Sequence, residues 1–150
     1  MDTIYLVIPR WFYPHNLGDS VHSSSAPSIL KKEYPNSKLI VFTVGDLVDI
    51  LKDNPDVDEV GNPPKELIGN YEFWKNEALN GRKNIPENMF VIFAEWHPNL
   101  WSYWNENFDF LYKHPTATLL YVNSLLQLGL EKYLFDGTDL FPNIYIDKPP

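Results

Sequence analysis

The chain has 150 residues, contains no cysteine and carries a formal net charge of −8 from 20 acidic and 12 basic side chains. This length suits one folded domain. The negative charge opposes binding to nucleic acid and anionic lipid, and the lack of cysteine excludes disulfides, thiol nucleophiles and cysteine-ligated zinc. No leader pattern and no apolar run of roughly 18 residues is found. The sequence therefore predicts a soluble, cytoplasmic protein with no nucleic-acid partner and no transmembrane segment.

Short apolar runs alternate with helical patterns along the chain. The predicted strands are residues 3–9, 38–44, 57–61, 89–96 and 143–147. The predicted helices are 24–34, with Pro27 in its first turn, 45–55, part of 64–80, and 115–130, with Gly129 at its C-cap. A loop is predicted at 97–108. Continuous apolar strands between helices predict an α/β fold with a Rossmann-like, doubly wound, mainly parallel sheet covered by helices on both faces.

In such sheets ligands bind at the carboxyl ends of the strands, here the loops at 10–19, after Val44 and at 95–104. The glycine-rich dinucleotide fingerprint, the phosphate-binding Gly-Lys-Ser/Thr loop and the Gly-x-Ser-x-Gly nucleophile elbow are all absent from the sequence. No pair of histidines has metal-ligand spacing. We therefore predict neither a cofactor nor a metal.

Gly18-Asp19 is the most informative pair in the chain. Gly18 permits a tight turn, and Asp19 falls where the first helix is predicted to begin, at the carboxyl edge of the sheet. One interpretation is that Asp19 caps the helix. The other is that its carboxylate takes a proton from a substrate hydroxyl. His22 follows about one turn later and is interpreted either as a surface residue or as a substrate contact.

Two aromatic segments are predicted at the same edge of the sheet. Trp11, Phe12 and Tyr13 follow the first strand, and residues 95–110 follow the fourth. Sugars stack on aromatic rings, and a carboxylate such as Glu95 binds hydroxyl groups. A second small core or a domain interface is the alternative interpretation of the same aromatic residues.

The order of motifs resembles the N-terminal domain of the heptosyltransferases, glycosyltransferase family 9. The matching features are "GDSVHSSSAP" after the first strand, the helix that ends before Pro35, "NPDVDEV" at 54–60, and "HPTATLLYVNSLLQLGL" followed by "FPNIYI". The resemblance covers most of the chain, with 62–113 as its weakest part. The sequence departs from the family pattern at "RWFYPHN" before Gly-Asp and at "AEWHPN" after the fourth strand, which implies an acceptor other than standard inner-core lipopolysaccharide.

The resemblance implies that residues 1–150 form one acceptor-binding domain, half of a GT-B glycosyltransferase. It implies inverting, metal-independent transfer from a nucleotide sugar to a glycan hydroxyl, with Asp19 as the base. The donor is expected to bind mainly a C-terminal domain absent from this chain, so the chain alone is expected to be inactive. The expected substrate-binding residues are Arg10, Trp11, His15, Asn16, Gly18, His22, Glu95, Trp96 and His97.

Two other functions fit the same sequence. The first is a non-catalytic Rossmann-like module that binds a glycan or a nucleotide through the aromatic loops. The second is a small doubly wound regulator of the flavodoxin type, which the lack of a hydroxyl-rich phosphate loop at 10–19 disfavours.

Overall fold

A computed structural model describes residues 1–12, 24–114 and 117–135 of the chain. The strands in these ranges are β1 Thr3–Val7, β2 Lys38–Phe42, β3 Glu59–Gly61 and β4 Met89–Val91. They form one sheet in the order β3-β2-β1-β4, and every neighbouring pair runs parallel. Helices are interleaved with the strands along the chain. The predicted Rossmann-like, parallel α/β fold is thereby confirmed.

The helices differ in length, and several are only one or two turns long. They are α1 Ala26–Glu33, α2 Asp46–Leu51, α3 Lys65–Ile68, α4 Tyr71–Leu79, α5 Leu100–Glu106, α6 Phe108–Tyr112 and α7 Leu119–Leu128. Short 3-10 turns at Arg10–Phe12 and Glu131–Phe135 follow β1 and α7. The prediction that part of 64–80 is helical is confirmed by α3 and α4. Gly69 separates these two helices with a positive φ of 54°.

Helices cover both faces of the sheet, which explains the continuous apolar strands. Leu6 of β1 belongs to a larger apolar cluster with Leu30 of α1 and Val122 of α7. Its neighbour Val7 belongs to a smaller cluster with Trp74 of α4. Successive strand residues point to opposite faces. An interior strand therefore needs apolar side chains on both faces, and β1 has them from Ile4 to Val7.

Capping residues define both ends of α7. The hydroxyl of Thr118 accepts a hydrogen bond from the N–H of Tyr121 at 3.2 Å, which satisfies one of the free donors of the first turn. Gly129 has the left-handed conformation, with φ 72°, that a C-cap glycine supplies. The predicted C-cap at Gly129 is confirmed. The helix begins at Leu119, later than the predicted start at 115, because Thr118 is its N-cap.

The predicted loop at 97–108 is wrong, because α5 and α6 occupy most of it. Leu100 and Leu111 are buried, and Tyr103 and Trp104 pack partly against the larger apolar cluster. Aromatic and asparagine side chains have only moderate helix propensity, so the segment carries no strong local helical signal. Burial of one side of each short helix supplies the stability that propensity does not.

The fourth strand is shorter than predicted. Residues 89–96 were expected to form it, but β4 ends at Val91, and the chain makes one further sheet hydrogen bond from the N–H of Ile92 to the carbonyl of Val7 at 3.0 Å. Beyond Val91, the side chains of Asn123 and Gln127 on α7 bind the backbone of the chain. The predicted strand at 143–147 lies outside the described residues.

Polar side chains of the "NPDVDEV" segment join α1 to the sheet. The buried Asn54 accepts a hydrogen bond from the N–H of Asp56 at 2.9 Å, and Asp56 accepts one from the hydroxyl of Ser28 at 2.9 Å. Asp58 accepts hydrogen bonds from the N–H of Leu39 at 2.7 Å and from Lys31 at 3.2 Å. In this chain the segment therefore has a structural role.

Asp58 is expected to make the stability of the fold depend on acidic pH. The hydrogen bond from the N–H of Leu39, together with Lys31, lowers the pKa of Asp58. A folded-state pKa below the unfolded value gives stability that is present above about pH 4 and is lost as the pH falls through the folded pKa. Because the Asp58 side chain is 42% exposed, this contribution is below about 1 kcal/mol.

Asp58→Asn should therefore be less stable than wild type at pH 7 and approach it in stability at pH 3, as measured by urea unfolding. Asp109→Asn, at an exposed position on α6, is the matched control. Its difference in stability from wild type should be the same at pH 7 and pH 3. An equal difference between Asp58→Asn and wild type at both pH values would contradict the prediction.

Candidate functional site

The carboxyl ends of β1 and β4 lie side by side in the sheet. Val7 is paired with Val91, so the segments that follow the two strands leave from the same edge. The first of these segments is the turn Arg10–Phe12, and the second begins at Ile92. The structure thus places the chain that follows β1 and the chain that follows β4 at one edge of the sheet, as predicted.

Tyr71 of α4 connects the two segments. Its ring lies edge-on to Phe12, at 5.8 Å between ring centroids, and to Phe93, at 5.0 Å. Trp11 contacts Trp74 of the same helix in an edge arrangement at 6.3 Å. Trp11 and Phe12 are only partly exposed and pack against the smaller apolar cluster. Trp11 and Phe12 therefore belong to a second small core. The aromatic residues of 95–110 do not: Tyr103, Trp104 and Phe110 pack against the larger cluster, and Trp96, Trp101 and Phe108 are exposed.

Glu95 is held at this edge by two side chains of α4. Its Oε2 accepts a hydrogen bond from the Tyr71 hydroxyl at 2.5 Å, and its Oε1 lies 3.5 Å from Nζ of Lys75. Tyr71 and Lys75 are one helical turn apart, so both can reach the same carboxylate. The Glu95 side chain is 35% exposed. The result is an ordered, charged group that still faces solvent.

Side-chain amides of α7 fix the backbone that carries Glu95. Gln127 accepts a hydrogen bond from the N–H of Phe93 at 2.6 Å and donates to the carbonyls of Phe93 and Glu95 at 3.0 and 2.9 Å. Asn123, one turn earlier, donates to the same Glu95 carbonyl at 3.0 Å and accepts from the N–H of His97 at 2.7 Å. These two amides supply hydrogen bonds to the backbone of residues 93–97 that a neighbouring strand would otherwise supply.

Neither amide was predicted to have a role, although the sequence contains a signal for it. Asn123 and Gln127 are buried polar residues spaced by one turn on an otherwise apolar helix. Buried amides need hydrogen-bond partners, and an exposed strand backbone can supply them. Tyr71 and Lys75 carry no comparable signal. Lys75 lies in "WKNE" at 74–77, which is interpreted as a solvated or packing segment, and Tyr71 lies in the polar stretch 62–88.

His97 is fixed in a neutral form. Its Nδ1 accepts a hydrogen bond from the N–H of Asn99 at 3.1 Å. Burial lowers the pKa of His97, and the negative charge of Glu131 only partly opposes this effect. The ring is therefore neutral at neutral pH with its proton on Nε2, a form that can donate one hydrogen bond there.

The predicted site residues fall into three groups. Glu95, Trp96 and His97 follow β4, and of these Trp96 has the most open side chain, at 48% exposed. Arg10 and Trp11 follow β1, where Arg10 is buried with 3% of its surface exposed. The remaining predicted residues lie outside the described part of the chain, in the connection from Phe12 to Ser24; they are His15, Asn16, Gly18, Asp19 and His22.

Residues 1–12, 24–114 and 117–135 contain neither a metal-binding cluster nor a membrane-spanning helix. No group of three or more histidine, aspartate or glutamate side chains in these ranges is arranged to hold a metal ion. None of the helices in them is long and apolar enough to cross a membrane. In comparisons with known proteins, no family model, curated protein or solved structure matches the chain.

Proposed function

We propose that this chain is the acceptor-side domain of a glycosyltransferase of the GT-B type, resembling the heptosyltransferases. The observation that carries the proposal is the Glu95 carboxylate, fixed by Tyr71 and Lys75 at the carboxyl end of β4. The neighbouring strand β1 leads into the connection that contains Gly18-Asp19. Ligands of parallel α/β sheets bind at this edge, which supports a glycan site formed by the two segments.

Asp19 is the base in the proposed reaction. Its carboxylate takes the proton of an acceptor hydroxyl while the hydroxyl oxygen attacks the anomeric carbon of the donor sugar. The new bond joins this oxygen to the anomeric carbon, and the bond from that carbon to the nucleoside diphosphate breaks. Attack from the face opposite the leaving group inverts the configuration. The nucleoside diphosphate leaves with the electron pair of the broken bond, and the donor is held by a second domain.

The test is Asp19→Asn in the protein that contains this domain together with its donor-binding partner domain. We expect transfer, measured as release of nucleoside diphosphate in the presence of acceptor, to fall by about 10²–10⁴-fold, the usual contribution of a general base. The circular dichroism spectrum and the melting temperature should not change. Asp109→Asn, which removes an exposed carboxylate on α6, is the control and should keep full activity. Retained turnover in Asp19→Asn would exclude Asp19 as the base.

A non-catalytic glycan-binding or nucleotide-binding module is the second candidate. It is favoured by the Glu95 arrangement itself, since a carboxylate held by a tyrosine and a lysine can bind a ligand without any transfer chemistry. Calorimetric titration of the chain with nucleotide sugars separates the candidates. An acceptor domain should bind them weakly or not at all, whereas tight binding would favour a nucleotide-binding module.

A further inference from the structure

We infer that Tyr71 and Lys75 position Glu95 so that the three side chains bind two adjacent hydroxyl groups of a neutral sugar ring. This inference rests on the proposed function, because it names the acceptor chemistry of the same edge of the sheet. Of these three residues, only Glu95 is predicted from the sequence to contact substrate. Lys75 belongs to "WKNE" at 74–77, whose sequence favours a solvated or packing role, and Tyr71 belongs to the polar stretch 62–88.

The position of the Tyr71 hydroxyl is determined by packing. Its ring is held edge-on between Phe12 and Phe93, which come from the segments after β1 and β4. The hydroxyl then donates to Oε2 of Glu95 at 2.5 Å. A donor held in this way, with Lys75 beside the other oxygen, restricts rotation of the Glu95 carboxylate. Tyr71 is therefore a positioning residue.

The carboxylate keeps the capacity to accept further hydrogen bonds. An ionised carboxylate has about four acceptor positions. In the described part of the chain, Glu95 uses one of them for Tyr71, and Nζ of Lys75 lies at a loose 3.5 Å. All three side chains remain partly exposed, at 35% for Glu95, 34% for Lys75 and 37% for Tyr71. A ligand can therefore reach both charged groups from solvent.

The chemistry of the three side chains selects the ligand class. Glu95 can accept a hydrogen bond from one hydroxyl, while Lys75 donates to the oxygen of the next, and the exposed part of the Tyr71 ring offers an apolar surface to C–H groups. An anion would be repelled by Glu95 and a cation by Lys75. A neutral ring with two adjacent free hydroxyls satisfies all three groups at once.

The test is an NMR titration of the chain with the methyl glycosides of glucose, galactose and mannose, without nucleotide sugar. We expect saturable shifts with at least one glycoside and none with its fully O-methylated derivative, which has lost the hydroxyl donors. Glu95→Gln and Tyr71→Phe should each weaken binding by about tenfold or more, as expected for loss of a charged or charge-assisted hydrogen bond. Lys75→Met should weaken it as well, and Lys75→Arg, which restores the charge, should recover it.

The controls make the same chemical changes away from the site. Glu72→Gln changes an exposed carboxylate on α4, and Tyr112→Phe removes a hydroxyl from a side chain that is 76% exposed. Both should bind like wild type. The inference is overturned if no glycoside binds, if the O-methylated derivative binds equally well, or if Glu95→Gln binds normally. If Asp19→Asn still loses turnover, such a failure would overturn the sugar contacts of Glu95 but not the transfer reaction; if turnover is retained as well, the proposed function fails with them.

Discussion

Replacing Trp74 with alanine is expected to lower the free energy of unfolding by about 3–5 kcal/mol, the usual cost of removing a large buried aromatic side chain. Trp74 has 0% of its surface exposed and belongs to the smaller apolar cluster, with Val7 and Val91 of the sheet. Its ring also contacts Trp11 at 6.3 Å. The substitution should leave a cavity under the candidate site, because the surrounding strands and α4 cannot close over that volume.

Urea unfolding followed by far-ultraviolet circular dichroism measures this change without relying on tryptophan fluorescence. Trp101→Ala is the matched control, since Trp101 on α5 is 54% exposed and its removal should change stability by no more than about 0.5 kcal/mol. Equal effects of the two substitutions would show that Trp74 does not have the buried position described.

Replacing Gln127 with leucine is expected to cost about 2–4 kcal/mol, because buried polar groups lose their partners. Gln127 is 3% exposed and makes hydrogen bonds to the N–H and carbonyl of Phe93 and to the carbonyl of Glu95. Leucine is similar in volume and keeps the helix, so little of the loss would come from packing. The substitution should also loosen the backbone that carries Glu95.

Two further variants of α7 separate hydrogen bonding from helix stability. Ser124→Ala removes a hydroxyl that, within the described part of the chain, bonds to the Leu120 carbonyl of its own helix, and it should be nearly neutral. Gln127→Glu keeps the acceptor for Phe93 but loses both amide donors, and only its protonated form can donate one hydrogen bond in their place. It should therefore be less stable at pH 8 than at pH 5, where the buried acid is protonated more readily. Loss of stability in Gln127→Leu no greater than in Ser124→Ala would contradict the role given to Gln127.

The sheet could be predicted from sequence because each strand carries its own signal. Leu6 and Val7 point to opposite faces and are both buried, so the apolar run around them indicates a strand that is covered on both faces. The early end of β4 could not be predicted, because it depends on Gln127, which is distant in sequence and in an otherwise apolar helix. The helical state of 100–112 likewise depends on tertiary burial of Leu100 and Leu111.

The candidate site was predictable only in part, for a similar reason. Glu95 could be selected because it lies near the end of the apolar run 89–96, at the edge of the sheet where ligands bind. Its partners Tyr71 and Lys75 come from a polar segment with weak periodicity, and only the packing of α4 against the sheet brings them to Glu95. Chemistry can be assigned from sequence to a residue at a strand end, but not to the neighbours that orient it.

The two amides of α7 also have a consequence for the solubility of the protein. β4 is the last strand on its side of the described sheet, and an edge strand with free backbone groups can pair with another copy and start aggregation. Asn123 and Gln127 occupy the backbone groups of Phe93, Glu95 and His97 that an incoming strand would use. Side chains of a helix thus protect residues 93–97, directly beyond β4, against intermolecular β-pairing, where other proteins use charges, prolines or bulges.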